Sequence, residues 1–119
     1  MAGLVTIPWY ATVFRGDKLE EALKEIAPVA LRYGASSYYV HRNRDDRYKF
    51  THGIQFADHS DWERFWGGPE MTRFRVAAQS LYQVPVLYTW NDISIEGRLD
   101  DVAPVQSGRA PAGAFGDTV

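Results

Sequence analysis

The sequence predicts a single α+β domain of βαββαβ order, with its strands in one antiparallel sheet and its helices on one face. Three observations predict it. Extended runs rich in aromatic and β-branched residues alternate with helical apolar repeats, in the order strand, helix, two strands, helix, strand. Each helical repeat opens on a capping pattern. The last extended run carries a proline in its middle, which only an edge strand tolerates. A ferredoxin-like sheet of order 4-1-3-2 puts its fourth strand at such an edge.

The first strand follows Pro8 and runs through Trp9, Tyr10, Ala11, Thr12, Val13 and Phe14. Gly16 and Asp17 then open a helix, with Asp17 as N-cap and Glu20 completing a capping box. Leu19, Leu23, Ile26 and Ala30 recur at helical spacing, and Gly34 suits the position just past the helix end. Pro28 lies inside this helix and kinks or splits it, because it lacks a backbone donor and crowds the preceding turn.

Residues 37–42 and 48–56 read as a hairpin joined by the polar turn Arg44-Asp45-Asp46-Arg47. In its second strand Phe50, His52, Ile54 and Phe56 share one parity, so His52 points to the apolar side. Ser60 and Glu63 form a second capping box with Asp61 in the first turn, where the helix dipole favours negative charge. Gly67-Gly68 breaks that helix, and Pro69 starts a second segment with Met71, Phe74 and Ala78 on one stripe. The last strand is expected over 82–90 around Pro85.

The domain is expected over residues 1–95, followed at 96–119 by a tail of Gly, Ala, Pro, Asp and Ser with few large apolar residues. By itself such a tail has too little to bury; if ordered, it is expected to wrap a partner subunit.

Composition narrows the classes. The 119 residues are 45% hydrophobic and 24% charged, which is ordinary for a globular domain. The 4 Trp, 7 Tyr and 6 Phe bring more aromatic area than one small core needs, so part of it is expected at a subunit contact, and the chain is read as a homodimer. With no cysteine there is no disulfide scaffold, thiolate site or cysteine nucleophile, in keeping with a cytoplasmic protein. A net charge of −2 and a pI near 5.9 give no electrostatic basis for binding nucleic acid. No stretch approaches the roughly 20 apolar residues of a membrane span, and the N-terminus has no basic region of a signal peptide.

One stretch resembles the antibiotic biosynthesis monooxygenase family of dimeric α/β barrels. It comprises Tyr38-Tyr39-Val40-His41-Arg42-Asn43-Arg44-Asp45-Asp46, then residues 50–71 with Ser60-Asp61-Trp62-Glu63-Arg64-Phe65-Trp66-Gly67-Gly68-Pro69-Glu70. The likeness covers about residues 9 to 91. It implies a cofactor-independent oxygenase of aromatic, quinol or polyketide-type molecules, with no cofactor. Members of that family often carry a His at the break after the second helix, where this chain has Gly67, Gly68 and Pro69. The haem-degrading branch resembles an Asn, Trp and His triad, for which only Trp66 or Trp62 offers a match. Haem is therefore not expected.

Each candidate residue has a functional and a structural reading. His52 can serve as a base towards a phenol whose anion reacts with oxygen, or as a neutral core histidine. Tyr39 and His41 share a parity, so a hydroxyl can sit beside an imidazole; the alternative is a sheet-surface or dimer-face pair. Trp62 and Trp66 lie four apart on one helix face, where they can floor a flat substrate or fill the core; Trp66, beside the break, is the better pocket residue. Phe50 lines the same apolar face, and Asn91 can polarise a carbonyl or end a strand. Tyr82, Tyr88 and Trp90 share a parity on the last strand and are read as interface aromatics. Asp58, His59 and Asp61 offer metal-ligand chemistry, but at a spacing that equally suits a capping loop, and no metal is expected.

The leading expectation is thus a small oxygenase in which His52, Trp66 and Tyr39 are catalytic and His41, Trp62, Phe50 and Asn91 bind a small aromatic molecule. The rivals are a polyketide cyclase or isomerase of the same fold, and a non-catalytic dimeric module that binds a small ligand or a protein.

Overall fold

The computed structural model describes residues 2–103 and 105. Their strands β1 (Gly3–Tyr10), β2 (Ala35–Arg42), β3 (Lys49–Phe56) and β4 (Thr89–Asp92) form one antiparallel sheet of order β2-β3-β1-β4. The helices α1 (Gly16–Ile26), α2 (His59–Trp66) and α3 (Pro69–Ala77) cover one face. This is the ferredoxin-like α+β arrangement, and β4, bonded to β1 alone, is an edge.

The face is chosen by alternation. Val5, Ile7 and Trp9 on β1 and Phe50, His52, Ile54 and Phe56 on β3 are all buried, while Pro8, Tyr10 and Lys49 are exposed. Leu19 and Leu23 of α1, Trp62 and Phe65 of α2, and Met71 of α3 close the same core. No helix among the described residues packs on the opposite face, where Leu4, Thr6, Thr51 and Gln55 are half-buried.

Pro28 splits the first helix. The α-helical segment stops at Ile26, and Ala27–Tyr33 continues as a tighter 3-10 turn with the proline at its start, where its missing donor costs no bond. Gly34 then takes a left-handed conformation (φ 99°) and returns its N–H to the carbonyls of Ala30 and Leu31.

Both expected capping boxes are absent. Arg15 precedes α1 without a side-chain cap, because Asp17 and Glu20 turn to Arg42, whose guanidinium bonds them at 2.7 and 2.8 Å and also reaches the Arg47 carbonyl. Two charge-assisted bonds outcompete a neutral cap. At α2 the cap position is Asp58; Ser60 donates to its carboxylate, and Glu63 pairs with His59 at 2.7 Å.

The last strand is shorter than expected. Tyr82 makes one isolated bridge to Ala11, the chain around Pro85 is irregular, and only Thr89–Asp92 pairs with β1. Of the expected tail, residues 104 and 106–119 lie outside the described residues; Gln55 donates to Glu96 at its start, and Leu99–Asp101 forms a 3-10 turn.

Candidate functional site

His52 sits mid-strand on β3, opposite Ile7 of β1 and Val40 of β2, under the helices. It is fully buried. The register pairs Trp9 with Phe50, so Trp9 is the diagonal neighbour of His52 on the covered face. Its indole Nε1 donates to His52 Nδ1 at 3.2 Å. His52 Nε2 has no hydrogen-bond partner among the described residues.

These contacts set the protonation. An indole N–H can only donate, so Nδ1 is a bare acceptor, and the one proton of the neutral ring sits on Nε2. Burial pushes the imidazole down to about 4, because a cation here would lose its hydration in apolar surroundings. His52 is therefore neutral at pH 7 and presents an unpaired N–H. The sequence suggested a base; the geometry makes it a donor, since its only free lone pair is already engaged by Trp9.

Trp9 leads outward into an aromatic cluster. It meets Tyr82 edge-on at 5.0 Å between centroids and Phe74 at 5.7 Å, and lies 6.5 Å from Trp66. Trp66 contacts Trp62 at 5.1 Å and Tyr88 at 5.2 Å. Trp62 is buried, whereas Trp66 is half-buried and Tyr88 exposed. Arg75 stacks over Trp66 and is the charged group in contact with this cluster. The Tyr82 hydroxyl, raised above its usual range by burial, donates to the Arg75 carbonyl.

The sequence candidates divide between the two faces of the sheet. His52, Trp62, Trp66 and Phe50 lie on the helix side; Phe50 is buried beneath the Arg42 guanidinium. Tyr39, His41 and Asn91 lie on the other side, since they pair with Gly53, Thr51 and Leu4. Tyr39 stacks on His41 at 4.4 Å, and its ring lies flat over Gly53, where any Cβ would collide with it. Within one chain the sheet thus separates Tyr39 from His52. Asn91 instead bonds the Leu4 carbonyl and lines a depression with Gln55 and Glu96.

Tyr82, Tyr88 and Trp90, read as interface aromatics, each pack on the core side of their own chain. Trp90 pairs with Val5 and so shares the core side, where it meets His59 edge-on at 4.6 Å; Tyr88 packs on Trp62 and Trp66, and Tyr82 on Trp9. His59 bonds Glu63, and Asp61 bonds Arg64; among the described residues no three His, Asp or Glu side chains gather as a metal site. Sequence reasoning missed Trp9, Arg75 and the inward turn of Tyr88. The parity of Val5, Ile7 and Trp9 was visible, but the diagonal contact needs the register of β1 on β3.

Of four surface depressions among the described residues, His52 lines none. One of them, of about 370 Å³, lies between α1 and α3 beside Ile26, Phe74 and Leu81. No helix among the described residues is long and apolar enough to cross a membrane.

No protein-family model and no curated protein matches the chain. Solved structures do. Rv0793 from Mycobacterium tuberculosis superposes with a TM-score of 0.72 at 15% identity, covering 82% of this chain and 100% of that one. SnoaB, a cofactor-independent oxygenase from Streptomyces nogalater, gives 0.70 at 14%, covering 80% and 95%. A candidate antibiotic biosynthesis monooxygenase from Deinococcus radiodurans gives 0.71 at 15%, covering 82% and 97%. The fold is that of the antibiotic biosynthesis monooxygenases. In this antibiotic biosynthesis monooxygenase fold the His52 cluster occupies the space between sheet and helices, and the uncovered face carries Tyr39, His41 and Asn91.

Proposed function

We propose that the chain is a cofactor-independent monooxygenase-like enzyme acting on an aromatic, quinol or polyketide-type small molecule. The observation that carries this reading is the unpaired Nε2–H of His52, buried among Trp9 and its aromatic neighbours. An unsatisfied buried donor costs about 1–3 kcal/mol, an expense that a ligand oxygen would remove. Supporting it, SnoaB, a cofactor-independent oxygenase, shares the fold.

In the proposed reaction the substrate supplies all the electrons. A methylene flanked by aromatic rings becomes a carbonyl while dioxygen gives one atom to product and one to water. The substrate is taken to bind as its phenolate or enolate, its proton already lost to water, and the protein's task is to stabilise that anion in an apolar space through a hydrogen bond to its oxygen. Trp62 and Trp66 are the flat apolar surfaces proposed to meet the substrate, and Tyr88, on the irregular segment before β4, packs against both.

The domain of residues 1–95 is proposed to act as a homodimer through the uncovered sheet face. Ile95, 91% exposed, adds apolar surface beside Leu4 and Gln55 of that face. A cytoplasmic location fits the absence of cysteine.

The test is oxygen uptake with a panel of quinols and anthrones. Consumption coupled to product, reduced at least tenfold in His52→Ala and in Trp66→Ala, supports the reading; turnover that persists without oxygen points to a cyclase or isomerase instead. No turnover and no ligand-induced rise in melting temperature overturns both.

One observation favours a non-catalytic dimeric binding module. His52 is enclosed and lines none of the four depressions, as a purely structural histidine would be. A thermal shift with aromatic ligands that leaves them chemically unchanged supports this second reading.

A further inference from the structure

We infer that Trp9 is a positioning residue: its indole N–H fixes His52 in the neutral Nε2–H tautomer, so that His52 meets a bound ketone or phenolate oxygen as a hydrogen-bond donor. The substrate-facing half of this inference rests on the function proposed above. The tautomer does not, and it can be tested without any substrate.

The argument starts from hydrogen-bond inventory. Neutral imidazole carries one proton and chooses between two nitrogens, and in water both tautomers are populated, with Nε2–H the major one. Trp9 removes the choice. Its Nε1–H lies 3.2 Å from Nδ1, and a proton on Nδ1 would set two donors against each other. Trp9 is itself held, with Tyr82 and Phe74 packed edge-on against it.

Nothing around the ring opposes this state. Ile7, Val40, Phe50 and Ile54, its neighbours across and along the strands, do not titrate. The charged and titratable groups nearest the cluster are engaged elsewhere. Arg75 stacks on Trp66, Arg42 binds Asp17 and Glu20, and the Tyr82 hydroxyl donates to a backbone carbonyl. Among the described residues no group accepts from Nε2, so its N–H is unpaired.

The chemical consequence separates two kinds of site. A histidine base needs a free lone pair and a pKa near the working pH. This one has its lone pair occupied and cannot hold a second proton without burying a cation. A neutral N–H donor, by contrast, strengthens its bond as negative charge grows on the acceptor oxygen, and it needs no proton transfer to do so. The substrate class that fits is a flat molecule with an oxygen able to carry charge, apolar on both faces. No proton passes to His52 in this role.

Long-range proton–nitrogen NMR of the uniformly 15N-labelled full chain tests the tautomer. The expected His52 pattern is a protonated Nε2 with a bare Nδ1, unchanged between pH 8 and about 5.5. A proton on Nδ1, or an imidazolium at neutral pH, overturns the inference. In Trp9→Phe the pattern should shift towards a mixture of tautomers; an unchanged pattern in a folded variant removes Trp9 from the role. Should that variant not fold, the Trp9 indole proton is compared between wild type and His52→Leu, and a resonance that does not move is equally fatal.

Where oxygen uptake is found, the donor role predicts a kcat/KM profile with no limb near pH 6.5. It also predicts that His52→Gln, which keeps an N–H, retains activity within about tenfold, while His52→Leu loses about 100-fold or more. A limb near 6.5 restores the base and overturns the donor. Failure to find any turnover, with the tautomer confirmed, sinks the enzymatic reading alone.

Discussion

The guanidinium of Arg75 lies over the indole of Trp66, 4.2 Å from the ring centroid, and donates to the Trp66 backbone carbonyl at 3.0 Å. One side chain thereby clamps the end of α2 from α3, across the Gly67-Gly68 break, and holds the half-buried tryptophan against Trp62. A half-buried cation–π contact and one hydrogen bond to a charged donor together contribute about 1–2 kcal/mol. Arg75→Ala is expected to lower unfolding stability by that amount and to change the near-ultraviolet circular dichroism of the tryptophans. Arg75→Lys, which keeps charge but loses the planar fork, should fall between. Urea titration of the three proteins decides it, and equal stability of Ala and wild type would discard the clamp.

The sealed imidazole makes stability depend on pH. His52 has a folded-state pKa of about 4 against an ordinary value of 6.5, so between those values the unfolded chain binds the extra proton and the folded one does not. Stability therefore rises with pH through this window. It is fully present above about 6.5, and about 3 kcal/mol of it is lost as pH falls towards 4. His52→Leu is expected to flatten the slope between pH 6.5 and 4.5 relative to wild type. Chemical denaturation of both proteins at several pH values measures it; parallel slopes would show that the histidine titrates normally.

Much of the fold was legible because alternation and helical spacing are local. The parity of Phe50, His52, Ile54 and Phe56 put His52 on the covered face, and Pro28 marked the split in the first helix, whereas Pro85, read as lying within an edge strand, falls in the irregular segment before β4. What failed was competition between local and distant partners. Asp17 and Glu20 read as a cap, yet Arg42, more than 20 residues away, outbids the backbone for them. The site was legible only as a list of residue types. Tyr39 and His52 are close in sequence and sit on neighbouring strands, but opposite parity sends them to opposite faces. The Trp9 contact depends on a pairing register that joins residues 43 apart in the chain, which no local pattern encodes.

Gly34 closes the first helical unit in a conformation that other residues reach at a cost. Its φ of 99° lies in the left-handed region, and a Cβ added there would press on the Asp61 carboxylate of α2. Gly34→Ala is expected to destabilise the domain by about 1–2 kcal/mol through backbone strain, without altering the sheet. Thermal unfolding reads the loss. A midpoint equal to that of wild type would mean that the turn relaxes to another conformation.

The uncovered sheet face carries the last prediction. Leu4, Thr6 and Thr51 are half-buried in the single chain although no helix lies on them, and Tyr39 and His41 stack flat across the same surface. A flat, mixed apolar face of this kind is stable in water when a second copy covers it, and two-fold pairing makes any substitution act twice in one interface. In the proposed dimer, Thr6→Arg and Tyr39→Arg are each expected to raise the dissociation constant at least tenfold, because each would bury like charges from both copies in the shared face. His52 and Trp9 lie on the opposite face of the sheet, so His52 should keep its tautomer in these variants if they remain folded. Light scattering across a concentration series measures the change. A wild-type chain that is monomeric at every concentration would remove the dimer, whereas a dimer unmoved by either arginine would place the interface elsewhere, with Leu87 and Ile95 as the next positions to charge.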